Sequence, residues 1–352
     1  MNPTKKLGRW IRGMPNRRVG VAGDFMLDGY VWGNATRLSP EAAVPVVEFM
    51  AESECPGGAG NVAANLAALG ARVAAFGVCG KDPEGERLRA ALELRGIQAQ
   101  GVLADRGRRT TLKTRIIARH QQVVRIDRET RASLAGEIEE KLIGKMVAAL
   151  RGGRHNRGMD ALVISDYDKG TVTEELARRV LAACVKLGVP AFVKPKWSML
   201  ATYPGATAIV LNSAEAGFLV TRPVEDDASA EHAGNLLLEK FKSSAVVLTR
   251  GARGMMVFEA GAGRPLKVPA LGQETPFGSR LTARPAAGSG QQVFDVTGAG
   301  DTVLATLALA VAAGAPIGEA ALLGNAAAGI VVSKLGTATV SGEELAALVQ
   351  AM

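Results

Sequence analysis

A carboxylate, Asp301, stands at the start of an apolar run, directly after Thr297-Gly298-Ala299-Gly300. In QQVFDVTGAGDTVLATLALAVAAG, residues 291–314, the order of residue types predicts a short strand over Gln292–Phe294, a glycine turn over 297–300 and a buried helix over Thr302–Ala312. The first N–H groups of a helix lack partners and carry partial positive charge, so they bind anions. Glycines let a phosphate come close to the backbone. A carboxylate beside such a cradle repels the anion. It makes sense as a base that takes the proton from a hydroxyl attacking a phosphoryl group. Gly298, Ala299, Gly300 and Asp301 therefore form the candidate catalytic turn. The plainer alternative is Asp301 as an N-cap.

Other chemistry-bearing residues precede it. Asp24 and Asp28 follow a short apolar run, Val19–Ala22, where carboxylates at the carboxyl end of a parallel strand can accept bonds from sugar hydroxyls. Gly57 and Gly58 precede Asn61 at a helix start; the glycines allow close approach of a ligand, and Asn61 offers a donor and an acceptor. Asp166 and Lys169 follow a buried strand and are expected to face the same cleft. Lys113, Arg119, Gln121 and Gln122 lie on a basic β segment suited to a sugar phosphate and its hydroxyls. For most arginines of that segment a solvated face is the plainer reading.

The elements that must position these groups alternate between strand and helix. Helix Asn61–Leu69 ends at Gly70, strand Val73–Val78 follows, and helix Glu84–Arg95 ends at Gly96. Strand Ala161–Ser165, helix Glu174–Leu187, strand Ala191–Val193 and strand Ala208–Leu211 continue the rhythm of a mostly parallel sheet with helices on both faces. Two segments of period-two character, Ala43–Met50 and Thr111–Ile126, fall outside it and predict a small β-sheet lid formed by about 30–51 and 109–128. The whole chain, 1–352, reads as a single domain. Leu271–Gln291 is rich in Gly, Pro, Ser and Thr and reads as a long loop.

Composition narrows the classes. The chain has 352 residues, 47% of them hydrophobic, enough for one large α/β core. Three unpaired cysteines fit a reducing cytoplasm, and the scattered histidines make no zinc cluster. No apolar run approaches membrane-spanning length, and the basic N-terminus lacks the apolar core of a secretory signal. The net charge of +8 comes without a lysine-rich tail or aromatic-interleaved patch, so no nucleic-acid partner is expected. A Walker-type loop is absent. Gly58–Ala63 matches GxGxxA, but polar Glu52–Pro56 runs into it rather than a strand, which argues against a dinucleotide site.

DVTGAGD resembles the signature of the ribokinase/PfkB family of carbohydrate kinases. PGGAGNVAANLAALG, ISDYDKG, LNSAE, VVLTRGARGMMVF and GNAAAGIVVSKLGT follow the family order, over roughly Arg18 to Val340. Within the family, GDFMLD, LSPEAAVPVVE, RHQQVVRID and SDYDKG look most like the members that phosphorylate C1 of D-glycero-D-manno-heptose 7-phosphate. The resemblance implies a ribokinase-like three-layer α/β/α sandwich with a lid, ATP and Mg²⁺, a homodimer through the lid, and a separate nucleotidyltransferase downstream. It implies that Lys196, Asn212, Thr249, Gly251, Gly254 and Asn325 bind ATP. It implies that Glu215 reaches magnesium through water, and that Asp295 and Thr297 hold a potassium-like cation. A helix-start Asn with a first-turn Glu is the plain alternative for Asn212 and Glu215. One departure stands out: where these kinases usually have Asp-Pro-Lys, this chain has Lys194-Pro195-Lys196, which either weakens metal binding or adds a cation for phosphate. The rivals are another PfkB-type kinase, for ribose, fructose or a nucleoside, and a non-catalytic sugar-phosphate sensor on the same scaffold.

Overall fold

A computed structural model describes residues 3–119, 121–153, 156–196, 203–270, 296–334 and 336–352. Helix α1 (Pro3–Gly13) leads into β1 (Arg18–Gly23), β2 (Phe25–Leu38) and β3 (Pro45–Gly58). Then come α2 (Ala59–Ala68), β4 (Arg72–Gly80), α3 (Pro83–Glu93), β5 (Gln98–Asp105), β6 (Thr111–Ala118), β7 (Gln121–Arg128) and α4 (Gly136–Arg151). A two-residue ladder, β8 (Gly152–Gly153) and β9 (Asn156–Arg157), precedes β10 (Ala161–Ser165), α5 (Glu174–Leu187), β11 (Ala191–Lys194) and β12 (Ala208–Asn212). Helices α6 (Ser213–Leu219) and α7 (Asp227–Phe241), strands β13 (Ala245–Thr249), β14 (Met255–Glu259) and β15 (Leu266–Val268), and helices α8 (Ala299–Ala312), α9 (Ile317–Val331) and α10 (Gly342–Gln350) complete the order.

Nine strands form one sheet in the order β15-β14-β13-β12-β11-β10-β1-β4-β5. Pairing is parallel from β13 to β5; only β14 and β15 run antiparallel. Strands β1, β10, β12 and β13 are almost wholly buried apolar runs, as a sheet covered on both faces requires. One core lies under α1, α2, α3, α8, α9 and α10, and a second under α4, α5 and α7. The chain winds one way from β1 through β4 to β5, then returns to the other side of β1 with β10. The switch point between β1 and β10 is where such sheets open a crevice at their carboxyl ends.

The small sheet has the order β3-β2-β6-β7. It is mixed, with β2 antiparallel to β3 and parallel to β6, and β6 antiparallel to β7. The period-two run Thr111–Ile126 is thus a hairpin rather than one strand, broken at Arg119, whose φ is 50°. The glycine turn is shorter than its sequence suggests: Gly298, at φ 83°, breaks the chain, and Ala299 and Gly300 already belong to the first turn of α8. The strand expected over Gln292–Phe294 and the loop over 271–291 lie outside the described residues. Helix α1 has no counterpart among the elements expected from sequence; Leu7 and Ile11, set between its basic residues, and Met14, just beyond its end, are buried against the core.

Candidate active site

Where the two sheets meet, a cavity of about 810 Å³ opens at the carboxyl ends of the parallel strands. Its lining includes Asp28, Gly58, Asn61, Lys113, Lys169, Lys196, Thr297, Gly298 and Asp301, all expected from sequence. Three segments converge on Asp301, which is buried at the start of α8. Oδ1 accepts from Tyr167 Oη at 2.7 Å and from Lys194 Nζ at 2.8 Å. Oδ2 accepts from Asn61 Nδ2 at 3.0 Å. Asn61 is itself oriented: Asn65 Nδ2 donates to its Oδ1 at 3.3 Å, and Thr302 Oγ1 donates to Asn65 Oδ1 at 3.1 Å. This chain of bonds couples α2 to α8 and leaves the Asn61 amide N–H for Asp301. No side chain caps α8; the Ala299 N–H donates to the Val296 carbonyl at 3.3 Å, which leaves Gly300 and Asp301 as the first-turn N–H groups suited to an anion.

Glycine is needed at two points. A Cβ on Gly298 would stand 2.6 Å from Asn61 Nδ2, on a backbone at φ 83°. A Cβ on Gly57 would fall 2.1 Å from Asp28 Oδ2, so the bare backbone is what lets the Asp28 carboxylate lie there. Burial raises Asp28 above the ordinary carboxyl range against the lowering pull of Arg115, whose Nη1 donates to Asp28 Oδ1 at 2.6 Å. Arg115 also lies over the Tyr30 ring, 5.3 Å from its centroid.

Six cations line the cavity, Lys113, Arg115, Arg125, Arg131, Lys169 and Lys196, against the carboxylates Asp28, Asp127, Asp168 and Asp301. Carboxylates hold several of the cations in place. Lys113 Nζ lies 2.8 Å from Asp127 and 3.4 Å from Glu129, and Lys169 Nζ lies 3.0 Å from Glu129. Burial opposes charge on Asp127 and Glu129, but their lysine and arginine partners outweigh it and lower both below the usual carboxylate range. The surplus of positive charge suits a phosphorylated ligand.

Several expected residues are placed elsewhere. Asp24 is buried, and its two oxygens accept the backbone N–H groups of Tyr167, Lys169 and Thr171, so it braces the β10–α5 loop. Asp166 is buried too; Oδ1 accepts from the Asp168 N–H at 2.8 Å. Arg119, Gln121 and Gln122 are exposed at the β6–β7 turn and do not line the cavity. Asn212 and Glu215 form a reciprocal capping box on α6, the plainer of their two readings. Glu215 Oε1 also meets Lys196 Nζ at 3.2 Å. Thr249 Oγ1 donates to Leu211 O at 3.3 Å, Gly251 and Gly254 bound the turn after β13, and Asn325 Nδ2 donates to Pro269 O at 2.8 Å. Asp295 lies outside the described residues.

Sequence reasoning missed Tyr167, Arg115, Arg125, Arg131 and the partner of Lys194. Tyr167 sits between Asp166 and Lys169, and Arg115 shares a strand face with Lys113, so both signals were present. Lys194 has its ammonium on the candidate base, 2.8 Å from Asp301 Oδ1, a contact the sequence does not announce. Among the described residues no group of three or more His, Cys, Asp or Glu could hold a metal ion. Glu215, expected to reach magnesium, has Oε2 on the Asn212 N–H at 3.0 Å and Oε1 on Lys196 at 3.2 Å.

The model of the pfkB family of carbohydrate kinases matches residues 18–344. The chain is 41% identical over 329 residues to the "bifunctional protein HldE" of Trichlorobacter lovleyi, covering 94% of this chain and 62% of that one. It is 42% identical over 330 residues to the protein of the same name from Citrifermentans bemidjiense, covering 94% and 63%. The chain thus spans less than two thirds of the length of these relatives. Among solved structures, phosphofructokinase-2 from Escherichia coli in complex with potassium superposes with a TM-score of 0.72 at 19% identity, covering 96% of this chain and 98% of that one. Arabidopsis thaliana ribokinase complexed with ribose and ATP gives 0.70 at 19%, covering 96% and 99%. At that identity both speak for the fold, which is ribokinase-like.

Proposed function

The chain belongs to the pfkB family of carbohydrate kinases, ATP-dependent enzymes, and on that premise we propose that its acceptor is the anomeric C1 hydroxyl of D-glycero-D-manno-heptose 7-phosphate. The product is the 1,7-bisphosphate, a precursor of the heptose in lipopolysaccharide. The observation that carries the proposal is a single juxtaposition: a buried carboxylate at the uncapped N-terminus of α8, on the floor of a cavity with more cations than anions. The resemblance of GDFMLD, RHQQVVRID and SDYDKG to heptose-phosphorylating members supplies the choice of sugar.

The acceptor hydroxyl gives its proton to Asp301. Oδ1 is occupied by Tyr167 and Lys194, so Oδ2, with Asn61 alone, is the receiving atom. The sugar oxygen then forms a bond to the γ-phosphorus of ATP, and the bond from that phosphorus to the bridging oxygen breaks, releasing ADP. Backbone N–H groups in the first turn of α8, those of Gly300 and Asp301, stabilise charge on the transferring group, the contribution that usually dominates such catalysis. A magnesium ion arriving with the nucleotide would offset phosphate charge, and Glu215, held by Lys196 and the Asn212 N–H, would face it through water rather than ligate it directly. Asp28, fixed by Arg115, accepts from a sugar hydroxyl, and Lys113 with Lys169 receives the 7-phosphate. The small sheet acts as a lid that keeps water, a competing acceptor, out of the cavity.

A second copy of this chain suits the outer half of that lid. Phe49 and Met50 lie on β3 at an irregularity where the pairing with β2 passes from Trp32–Ala51 to Gly33–Phe49, and each is 65% exposed. Val123, Val124 and Ile126 on β7 are exposed as well. A dimer would bury them.

Steady-state kinetics with ATP and either the heptose 7-phosphate or the same sugar without its phosphate test the substrate. The proposal expects kcat/KM for the phosphorylated sugar to be higher by on the order of 10²-fold, the worth of a few charge-assisted bonds. Equal values, or faster turnover of ribose, fructose or a nucleoside, would return the chain to a different branch of the family.

A further inference from the structure

Lys194 closes β11, and its Nζ lies where the base and the anion cradle meet. That atom is 2.8 Å from Asp301 Oδ1 and 3.4 Å from Tyr167 Oη. It stands 3.4 Å from the point where a Cβ on Gly300 would be, beside the first turn of α8. The lysine side chain is 16% exposed and Asp301 only 5%. Burial works against charge on Lys194, but Asp301 and Tyr167 outweigh it and hold the ammonium well above the ordinary lysine range. Burial, then the charge of Asp301, keeps the proton on the Tyr167 phenol. Both groups therefore donate to the same carboxylate oxygen.

The site brings together two anions that repel each other, the carboxylate of Asp301 and the phosphoryl group arriving at α8. The N-terminus of α8 attracts both anions, but it does not remove the repulsion between them. An ammonium on the carboxylate, within reach of the cradle, relieves the conflict for both. It also settles which oxygen reacts, because two donors on Oδ1 leave Oδ2 the less occupied. We propose that Lys194 is a positioning residue for phosphoryl transfer: it clamps the Oδ1 side of Asp301, leaves Oδ2 to receive the hydroxyl proton, and supplies the positive charge that lets base and phosphoryl group share the start of α8. The inference rests on Asp301 being the base.

Lys194→Met, Lys194→Arg, Lys194→Ala and Asp301→Asn test it in the full chain. Removing a preorganised charge beside the reacting group is expected to lower kcat of Lys194→Met by on the order of 10²-fold, with the sugar KM within about threefold. Lys194→Arg keeps the charge and is expected to stay within about tenfold of wild type. Methylammonium added to Lys194→Ala is expected to restore turnover in a saturable way, a response that a lysine needed only for folding would not give. Wild-type kcat in Lys194→Met would overturn the proposal. So would loss of turnover in all three lysine variants with no rescue by methylammonium. Wild-type turnover in Asp301→Asn would instead remove the base assignment beneath it, so the two failures are distinguishable.

Discussion

The two walls of the cavity are built on different principles. The wall on the large sheet is a cross-braced hydrogen-bond cluster: Asp301 from α8, Asn61 from α2, Tyr167 from the loop after β10 and Lys194 from β11, with Asn65 and Thr302 orienting Asn61. The wall on the small sheet is a set of ion pairs, Lys113 with Asp127 and Glu129, Arg115 with Asp28 and Arg125 with Asp127, on strands whose outer halves face solvent. The first arrangement fixes one atom in one place. The second presents charge over an area and tolerates rearrangement, since several of its members have more than one partner. On the proposed function, a fixed base and a broad cationic surface would divide the work, with rate set on one wall and substrate affinity on the other.

That division can be broken from either side. Gly298→Ala places a Cβ against Asn61 on a backbone conformation that alanine resists. It should shift Asn61 off Asp301 and lower kcat by about 10²-fold, as a displacement of about 1 Å does in a positioned site, while sugar KM changes little. A rise in KM at constant kcat would show that the large-sheet wall binds rather than reacts. Lys113→Met should do the reverse, raising KM for the phosphorylated sugar by about tenfold with kcat within about threefold. If kcat fell instead, the walls would not be separable.

The smallest effect concerns what holds the loop that carries Tyr167. Asp166 donates its N–H to the Lys194 carbonyl at 3.0 Å, tying that loop to β11, and among the described residues its buried Oδ2 has no hydrogen-bond partner. Burial, aided by the charge of Asp24, raises its carboxyl to about 7. The unfolded chain releases that proton near pH 4, so between about pH 4 and about pH 7 the folded state holds more protons and loses stability as pH rises. Asp166→Asn cannot titrate, so its urea midpoint should fall less than that of wild type between about pH 4.5 and about pH 7.5. Parallel pH profiles for the two proteins would mean that Asp166 does not retain its proton in the fold.

How far the sequence carries varies along the chain. Strand Ala161–Ser165 and helix Glu174–Leu187 are read to the residue, because a fully apolar run and a Thr-capped amphipathic helix ending at Gly188 leave no competing pattern. Asp301, Asn61, Lys169 and Lys113 are legible from residue type and from what surrounds them. The contact between Lys194 and Asp301 is not, since 107 positions separate the two and only the parallel pairing of β10 with β11 brings the lysine to the crevice. Asp24 misleads for a related reason. Its place after β1 suits a ligand, but the positions of three backbone N–H groups in a distant loop decide that its carboxylate is spent within the protein. Arg119 carries the right charge on the right hairpin, yet a bend at its own position takes it away from the cavity.

The claim on which the rest depends is that Asp301 takes a proton, and Asp301→Asn addresses it directly, because the amide keeps the shape and can still accept from Tyr167 while losing the capacity to act as a base. Single-turnover rates should be measured beside ATP affinity by calorimetry. A fall in turnover of on the order of 10²–10⁴-fold, with ATP affinity within a fewfold of wild type, is the predicted result. Turnover near the wild-type rate in the folded variant would contradict the account.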